Sequence, residues 1–180
     1  PGASVTCFEP SISNRTEAAR VLDGQGIELI DDAAELSGTY DLITCCEVFE
    51  HLPEAQSAAA LDHLRDLLTP KTGMLAVGVP NELYAVGLAK GLFRMSRRYG
   101  EYDANWRNVL ACAVGRPPTD RVESEFEQLP YIFAHTGFDY RSLRAQLPNH
   151  GLRVRNTYGS PLRTLPVPVN SEAYFVCTRD

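Results

Sequence analysis

The chain has 180 residues, 44% of them hydrophobic and 22% charged, which excludes disorder and suffices for one domain with a self-supporting core. A formal charge of −6 excludes nucleic-acid binding through bulk charge and leaves only local basic patches for that role. Five cysteines, two of them adjacent at Cys45 and Cys46, fit neither a disulfide framework nor zinc-ligand spacing. No apolar run is long enough to span a bilayer, so the expectation is a reduced, cytoplasmic chain.

The chain opens Pro1-Gly2-Ala3-Ser4 and has strand character by Val5, which reads as the inside of a domain that starts upstream. The pattern predicts a strand over 5–8, a helix over 14–22 stopped by Asp23-Gly24-Gln25-Gly26, and a second strand over 27–30. A third strand over 41–46 empties into Glu47-Val48-Phe49-Glu50-His51-Leu52-Pro53. The clearest helix covers 54–68, with Ala58, Leu61, Leu64, Leu67 and Leu68 on one side, and Thr69-Pro70-Lys71-Thr72-Gly73 ends it. A strand over 74–79 follows at once. Residues 81–134 break the rhythm and read as a lid or substrate-binding insert, with a helix over 83–99 and a possible short helix near Trp106. A helix over 142–147 and strands over 152–158 and 173–178 complete the chain. The expectation is one α/β domain over 1–180, with a doubly wound, mostly parallel sheet, an antiparallel last strand and a helical lid.

In open α/β sheets, chemistry gathers at the carboxyl ends of parallel strands, which marks residues 47–51 as a site. Glu47, Glu50 and His51 stand at spacing 0, 3, 4, which on the first turn of a helix gives neighbouring faces. Such a cluster serves as a general base or substrate-orienting pair, or as metal ligands; the plain alternative is acids favouring a helix start, with His51 capping. His63 and His150 read as surface residues, and a lone tryptophan in an insert as core.

The order of these pieces resembles the class I S-adenosylmethionine-dependent methyltransferases, from their second strand to their seventh. The likeness is carried by Tyr40-Asp41-Leu42-Ile43 with Glu47-Val48-Phe49-Glu50-His51, similar to the fourth-strand signature of the small-molecule and ribose O-methyltransferase branches. It is also carried by Leu67-Leu68-Thr69-Pro70 with Gly73-Met74-Leu75, and by residues 5–9. The glycine-rich turn after the family's first strand is absent, since Gly24-Gln25-Gly26 follows a helix and precedes a strand.

The resemblance implies S-adenosylmethionine as cofactor, with Glu9 on the ribose, and Asp32 with Ala33 (Asp31 competing) at the adenine. Cys46 and Glu47 would line the same cleft. It implies methylation of a hydroxyl on a small-molecule acceptor, with His51, His135 and Glu47 as catalytic residues. Methyltransferases acting on the 3′-terminal ribose of small RNAs carry a similar motif. The alternative is therefore a divalent metal on Glu47, Glu50, His51 and His135, assisting ribose 2′-O-methylation of RNA, although nucleic acid is not the favoured partner. A non-catalytic methyltransferase-like scaffold is a further alternative. In the insert, Lys90, Arg94, Arg97 and Arg98 lie beside Leu92, Phe93 and Tyr99, a pattern that fits either an anionic acceptor or an ordinary lid with a solvated face.

Overall fold

The computed structural model describes residues 2–180, which form two compact units. The first comprises the residues up to Gly38 together with Glu125–Leu129. Strand β1 (Thr6–Phe8) pairs in parallel with β2 (Glu28–Ile30), in register Thr6↔Glu28 and Phe8↔Ile30. Helix α1 (Ile12–Leu22) is the crossover that a parallel pair requires. It begins two residues earlier than the pattern predicts because Ser11 caps it, the Ser11 hydroxyl accepting from the Asn14 amide at 3.2 Å. A second device satisfies the open amides of that helix end. The Glu127 carboxylate accepts from the amides of Ile12 at 2.5 Å and Ser13 at 3.1 Å. Glu127 sits with Gln128 in the left-handed turn between β5 (Ser124–Phe126) and β6 (Leu129–Tyr131).

The second unit comprises Thr39–Ser124 and Pro130–Asp180. Its sheet has four strands, in the order β3 (Leu42–Cys46), β4 (Met74–Pro80), β8 (Glu172–Arg179) and β7 (Leu152–Ser160). Strand β4 runs parallel to β3 and antiparallel to β8, so the expected antiparallel last strand is present. Alternation along β4 and β8 sends Leu75, Val77, Val79, Ala173, Phe175 and Cys177 to one face. There they meet Leu61 of α2 (Glu54–Asp66) and Leu143 of α5 (Tyr140–Gln146), together with Leu68 and Leu147, in a continuous buried core. The opposite face leaves Leu42 and Met74 in solvent.

The insert holds α3 (Tyr84–Arg97) and α4 (Trp106–Ala113), two helices packed against each other. Their approach needs a glycine: a Cβ at Gly91 would lie 2.6 Å from a methyl of Val109. The short helix near Trp106 is therefore real, and the β5–β6 hairpin in the same insert is an element the pattern does not predict.

Candidate functional site

Strand β3 does not run straight into a helix. Glu47 takes a left-handed conformation, φ 55°, with its amide bonded to the Gly78 carbonyl at 2.9 Å. A non-glycine residue rarely adopts that conformation, and when it does the surrounding structure must hold it there. Phe49–His51 then form a single 3₁₀ turn, and α2 starts only after Pro53. The expectation of Glu47, Glu50 and His51 together on the first turn of a helix is thus corrected. Pro53 disfavours helical backbone at Leu52, which separates the turn from the helix.

That turn drives Glu50 inward and leaves Glu47 exposed. Glu50 is fully buried, and neither of its carboxyl oxygens has a hydrogen-bond partner among the described residues. Burial, with the Glu47 carboxylate a lesser cause, pushes the Glu50 carboxyl up to about 8. A solvated acid at a helix start does not describe this residue.

His51 stands over Glu50, its Nε2 3.7 Å from a Glu50 carboxyl oxygen. Its Nδ1 lies 2.9 Å from the Ile132 carbonyl. A carbonyl only accepts, so Nδ1 carries the proton and Nε2 presents a lone pair. The ring stacks on Tyr131 at 4.6 Å and meets the edge of His135 at 4.8 Å. The His135 carbonyl accepts from the Phe138 amide at 3.0 Å, but its ring makes no hydrogen bond among the described residues. Burial lowers the affinity of both imidazoles for a proton, His135 to about 4. Two neutral rings and a neutral carboxyl therefore stand together in one cluster near pH 7. One ligand atom from each of Glu50, His51 and His135 lies within 4.8 Å of the other two.

Behind the pair lies a buried ionic network that the sequence does not announce. Asn81 and Glu82, directly after β4, are both out of solvent. The Glu82 carboxylate accepts from Arg94 at 2.6 and 2.9 Å and from Lys90 at 3.2 Å, and Arg94 also donates to the Thr136 hydroxyl. Burial raises the Glu82 carboxyl, but Arg94 and Lys90 outweigh it and hold the group below its ordinary value. Lys90 and Arg94 are therefore not part of a solvated lid face, which corrects that reading. Arg121 closes the other side, donating to the carbonyls of Glu50 and Ala134. The only advance signal for Glu82 was its place at the carboxyl end of a buried strand, and Arg121 had none.

In the first unit, Glu9 and Asp32 follow the carboxyl ends of the paired strands β1 and β2, with the Glu9 amide bonded to the Ile30 carbonyl at 2.9 Å. One Glu9 oxygen accepts from the Ser11 amide and one Asp32 oxygen from the Ala34 amide, each at 2.9 Å, which leaves the second oxygen of each carboxylate open. Ala33 begins the 3₁₀ turn that Asp32 caps, and Asp31 is engaged with Arg15. Gly24 and Gly26 close α1 with positive φ and cradle nothing. Acids at these strand ends fit the nucleoside end of S-adenosylmethionine, whereas no glycine turn among the described residues fits its methionine end.

Other expectations also sort out here. Cys46 is largely exposed beside Gly78, while burial pushes the Cys45 thiol up to about 12, leaving it inert. His63 is exposed, but His150 is half-buried with Nδ1 3.0 Å from Asp62, which corrects its assignment to the surface. Trp106 is 54% exposed, which corrects its assignment to core.

Residues 2–157 match the family model of a methyltransferase domain. Comparison with curated protein sequences gave no match. Among solved structures, the chain is similar to the PH0226 protein of Pyrococcus horikoshii OT3, with 13% identity and a TM-score of 0.62, covering 99% of this chain and 73% of that one. It is also similar to magnesium protoporphyrin IX methyltransferase of Synechocystis PCC 6803, solved with bound SAH, with 18% identity and a TM-score of 0.52 over 99% of this chain and 65% of that one. A third is an S-adenosylmethionine-dependent methyltransferase of Clostridium acetobutylicum ATCC 824, with 10% identity and a TM-score of 0.59, covering 98% and 75%. At these identities the likeness speaks for the fold, and the family match over residues 2–157 speaks for membership. The chain belongs to the class I S-adenosylmethionine-dependent methyltransferases.

Proposed function

We propose that the protein transfers a methyl group from S-adenosylmethionine to a hydroxyl of a small-molecule acceptor, with His51 and His135 handling the acceptor's proton. The observation that carries this reading is the pair of half-buried imidazoles in edge contact above the unpartnered Glu50 carboxyl. The cofactor, when bound, supplies an electrophilic methyl group on a sulfonium. An acceptor hydroxyl must lose a proton as it attacks, and a neutral imidazole within hydrogen-bond reach is suited to take it. The Ile132 carbonyl keeps the His51 Nε2 lone pair available, and His135 is free to accept at either ring nitrogen. Glu50, protonated near neutral pH, leaves the proton taken by the pair without a competing carboxylate. Glu9 and Asp32 are the residues that would hold ribose and adenine.

A second reading has its own observation in the convergence of Glu50, His51 and His135. One oxygen and two imidazole nitrogens suit a divalent transition ion, and the bond from His51 to the Ile132 carbonyl is the outer contact that orients a histidine ligand. That reading is metal-assisted ribose 2′-O-methylation.

Both are tested by incubating the chain with methyl-labelled S-adenosylmethionine and a panel of phenolic, sugar and 3′-ribose acceptors, with and without a chelator. The first reading expects oxygen methylation that survives chelation and falls at least a hundredfold in His135→Asn. Activity confined to ribose acceptors, lost on chelation and restored by manganese, would establish the second and overturn the first.

A further inference from the structure

The outer side of the insert presents apolar residues that nothing described covers. Along α4 and its C-terminal cap, Trp106, Leu110 and Val114 recur every four residues; they are 54%, 54% and 69% exposed. On α3, Leu92 and Phe93 are exposed, as are Tyr99 and Tyr102 in the connection between the two helices. Isolated exposed apolar side chains are ordinary, but seven large ones concentrated within the 23 residues 92–114 are of the density that marks an interaction surface.

The charge of this patch opposes that of the whole. Residues 92–114 carry Arg94, Arg97, Arg98 and Arg107 against Glu101 and Asp103, in a chain of formal charge −6. Arg94 is taken by Glu82, but the others sit at the surface. Arg98 shares Glu101 at 2.9 Å, and Arg97 lies over the Phe93 ring at 5.4 Å, without an ion-pair partner among the described residues. Phe93, Arg97, Arg98 and Tyr102 help to line an open groove of about 540 Å³. Rings that can enter an acyl boundary, flanked by guanidinium groups that can meet phosphate, are the makings of an interfacial surface.

We infer that this α3–α4 face docks on an anionic lipid surface, with Trp106, Leu110 and Phe93 entering the headgroup boundary and Arg97, Arg98 and Arg107 meeting lipid phosphates. Two other occupants fit less well. A single-stranded nucleic acid would use the aromatic rings and arginines but leave the aliphatic side chains of Leu110 and Val114 in water. A second copy related by a two-fold axis would set the arginine patch against itself. The inference concerns where the protein docks and is independent of the reading of its chemistry.

The chain carries one tryptophan, and it stands in the patch. Intrinsic fluorescence of the unmodified chain therefore reports docking directly. The experiment titrates it with phosphatidylcholine vesicles, with vesicles of equal phosphatidylcholine and phosphatidylglycerol, and with polyuridylate. The inference expects a blue shift on the phosphatidylglycerol vesicles alone, quenched by brominated acyl chains and reversed by high salt. Affinity is expected to fall about fivefold for each arginine neutralised in Arg97→Gln and Arg107→Gln, with thermal unfolding unchanged. No shift on anionic vesicles, an equal shift on zwitterionic ones, a shift with polyuridylate instead, or a shift that follows protein concentration alone would each overturn it.

Discussion

Arg94 grips Glu82 with both guanidinium nitrogens, at 2.6 and 2.9 Å, linking the segment just after β4 to the last turn of α3. The carboxylate is 2% exposed, so it depends on that partner and on Lys90 for what water would otherwise provide. Removing one partner of a buried pair costs about 3–5 kcal/mol, because the other charge stays behind. Arg94→Met is therefore expected to lower unfolding stability by several kcal/mol in urea titration. Arg94→Met combined with Glu82→Leu is expected to regain most of the loss.

The same carboxylate gives stability a pH dependence. Its folded value lies below the ordinary one of 4.5, so the unfolded chain binds the proton more tightly. The contribution is fully present above the unfolded value and is lost as pH falls through the folded one. Thermal unfolding of the native chain should drop steeply below pH 4.5, and Glu82→Gln should flatten that drop. An unchanged acid limb in Glu82→Gln would contradict the assignment.

Glycine positions in α3 separate two kinds of crowding. A Cβ at Gly87 would meet the Glu82 carbonyl oxygen at 2.1 Å, a backbone atom that cannot turn aside, whereas at Gly91 it would meet the side chain of Val109. Gly87→Ala is expected to destabilise by more than Gly91→Ala, with the latter costing about 1–3 kcal/mol. Chemical denaturation of the two variants checks the order.

On the proposed reading, Glu9 accepts ribose hydroxyls through the oxygen it does not spend on Ser11. Hydrogen bonds to a charged group contribute roughly 1.5–3 kcal/mol, so Glu9→Ala should weaken S-adenosylmethionine binding by about ten- to a hundredfold in calorimetry. Asp31→Ala should leave affinity unchanged, since Asp31 is engaged with Arg15.

Much of the sheet was legible, because parallel strands such as the half-exposed β3 and the buried β4 write themselves as short apolar runs closed by turn residues. The amphipathic spacing of Leu61, Leu64 and Leu68 likewise placed α2 to within a residue or two of its end. The site was legible only as a list. Spacing brought Glu50 and His51 forward but assumed a helix, and the proline at position 53 converted the turn so that Glu50 is buried and Glu47 exposed. His135 was identified by its place in the chain order, and its contact with His51 is a tertiary fact. The directions of Lys90, Arg94 and Trp106 are not legible in the sequence for one reason. Charge and ring count give no direction, and the partner that turns Arg94 inward, Glu82, lies twelve positions earlier.

The neutral imidazole pair is the claim on which the chemistry rests, and nitrogen-15 NMR of the histidine rings across a pH titration measures it directly. The expected result is His51 protonated at Nδ1 and bare at Nε2, with His135 neutral until the pH approaches about 4. Rings that both titrate near 6.5, or a His51 whose proton resides on Nε2, would contradict it.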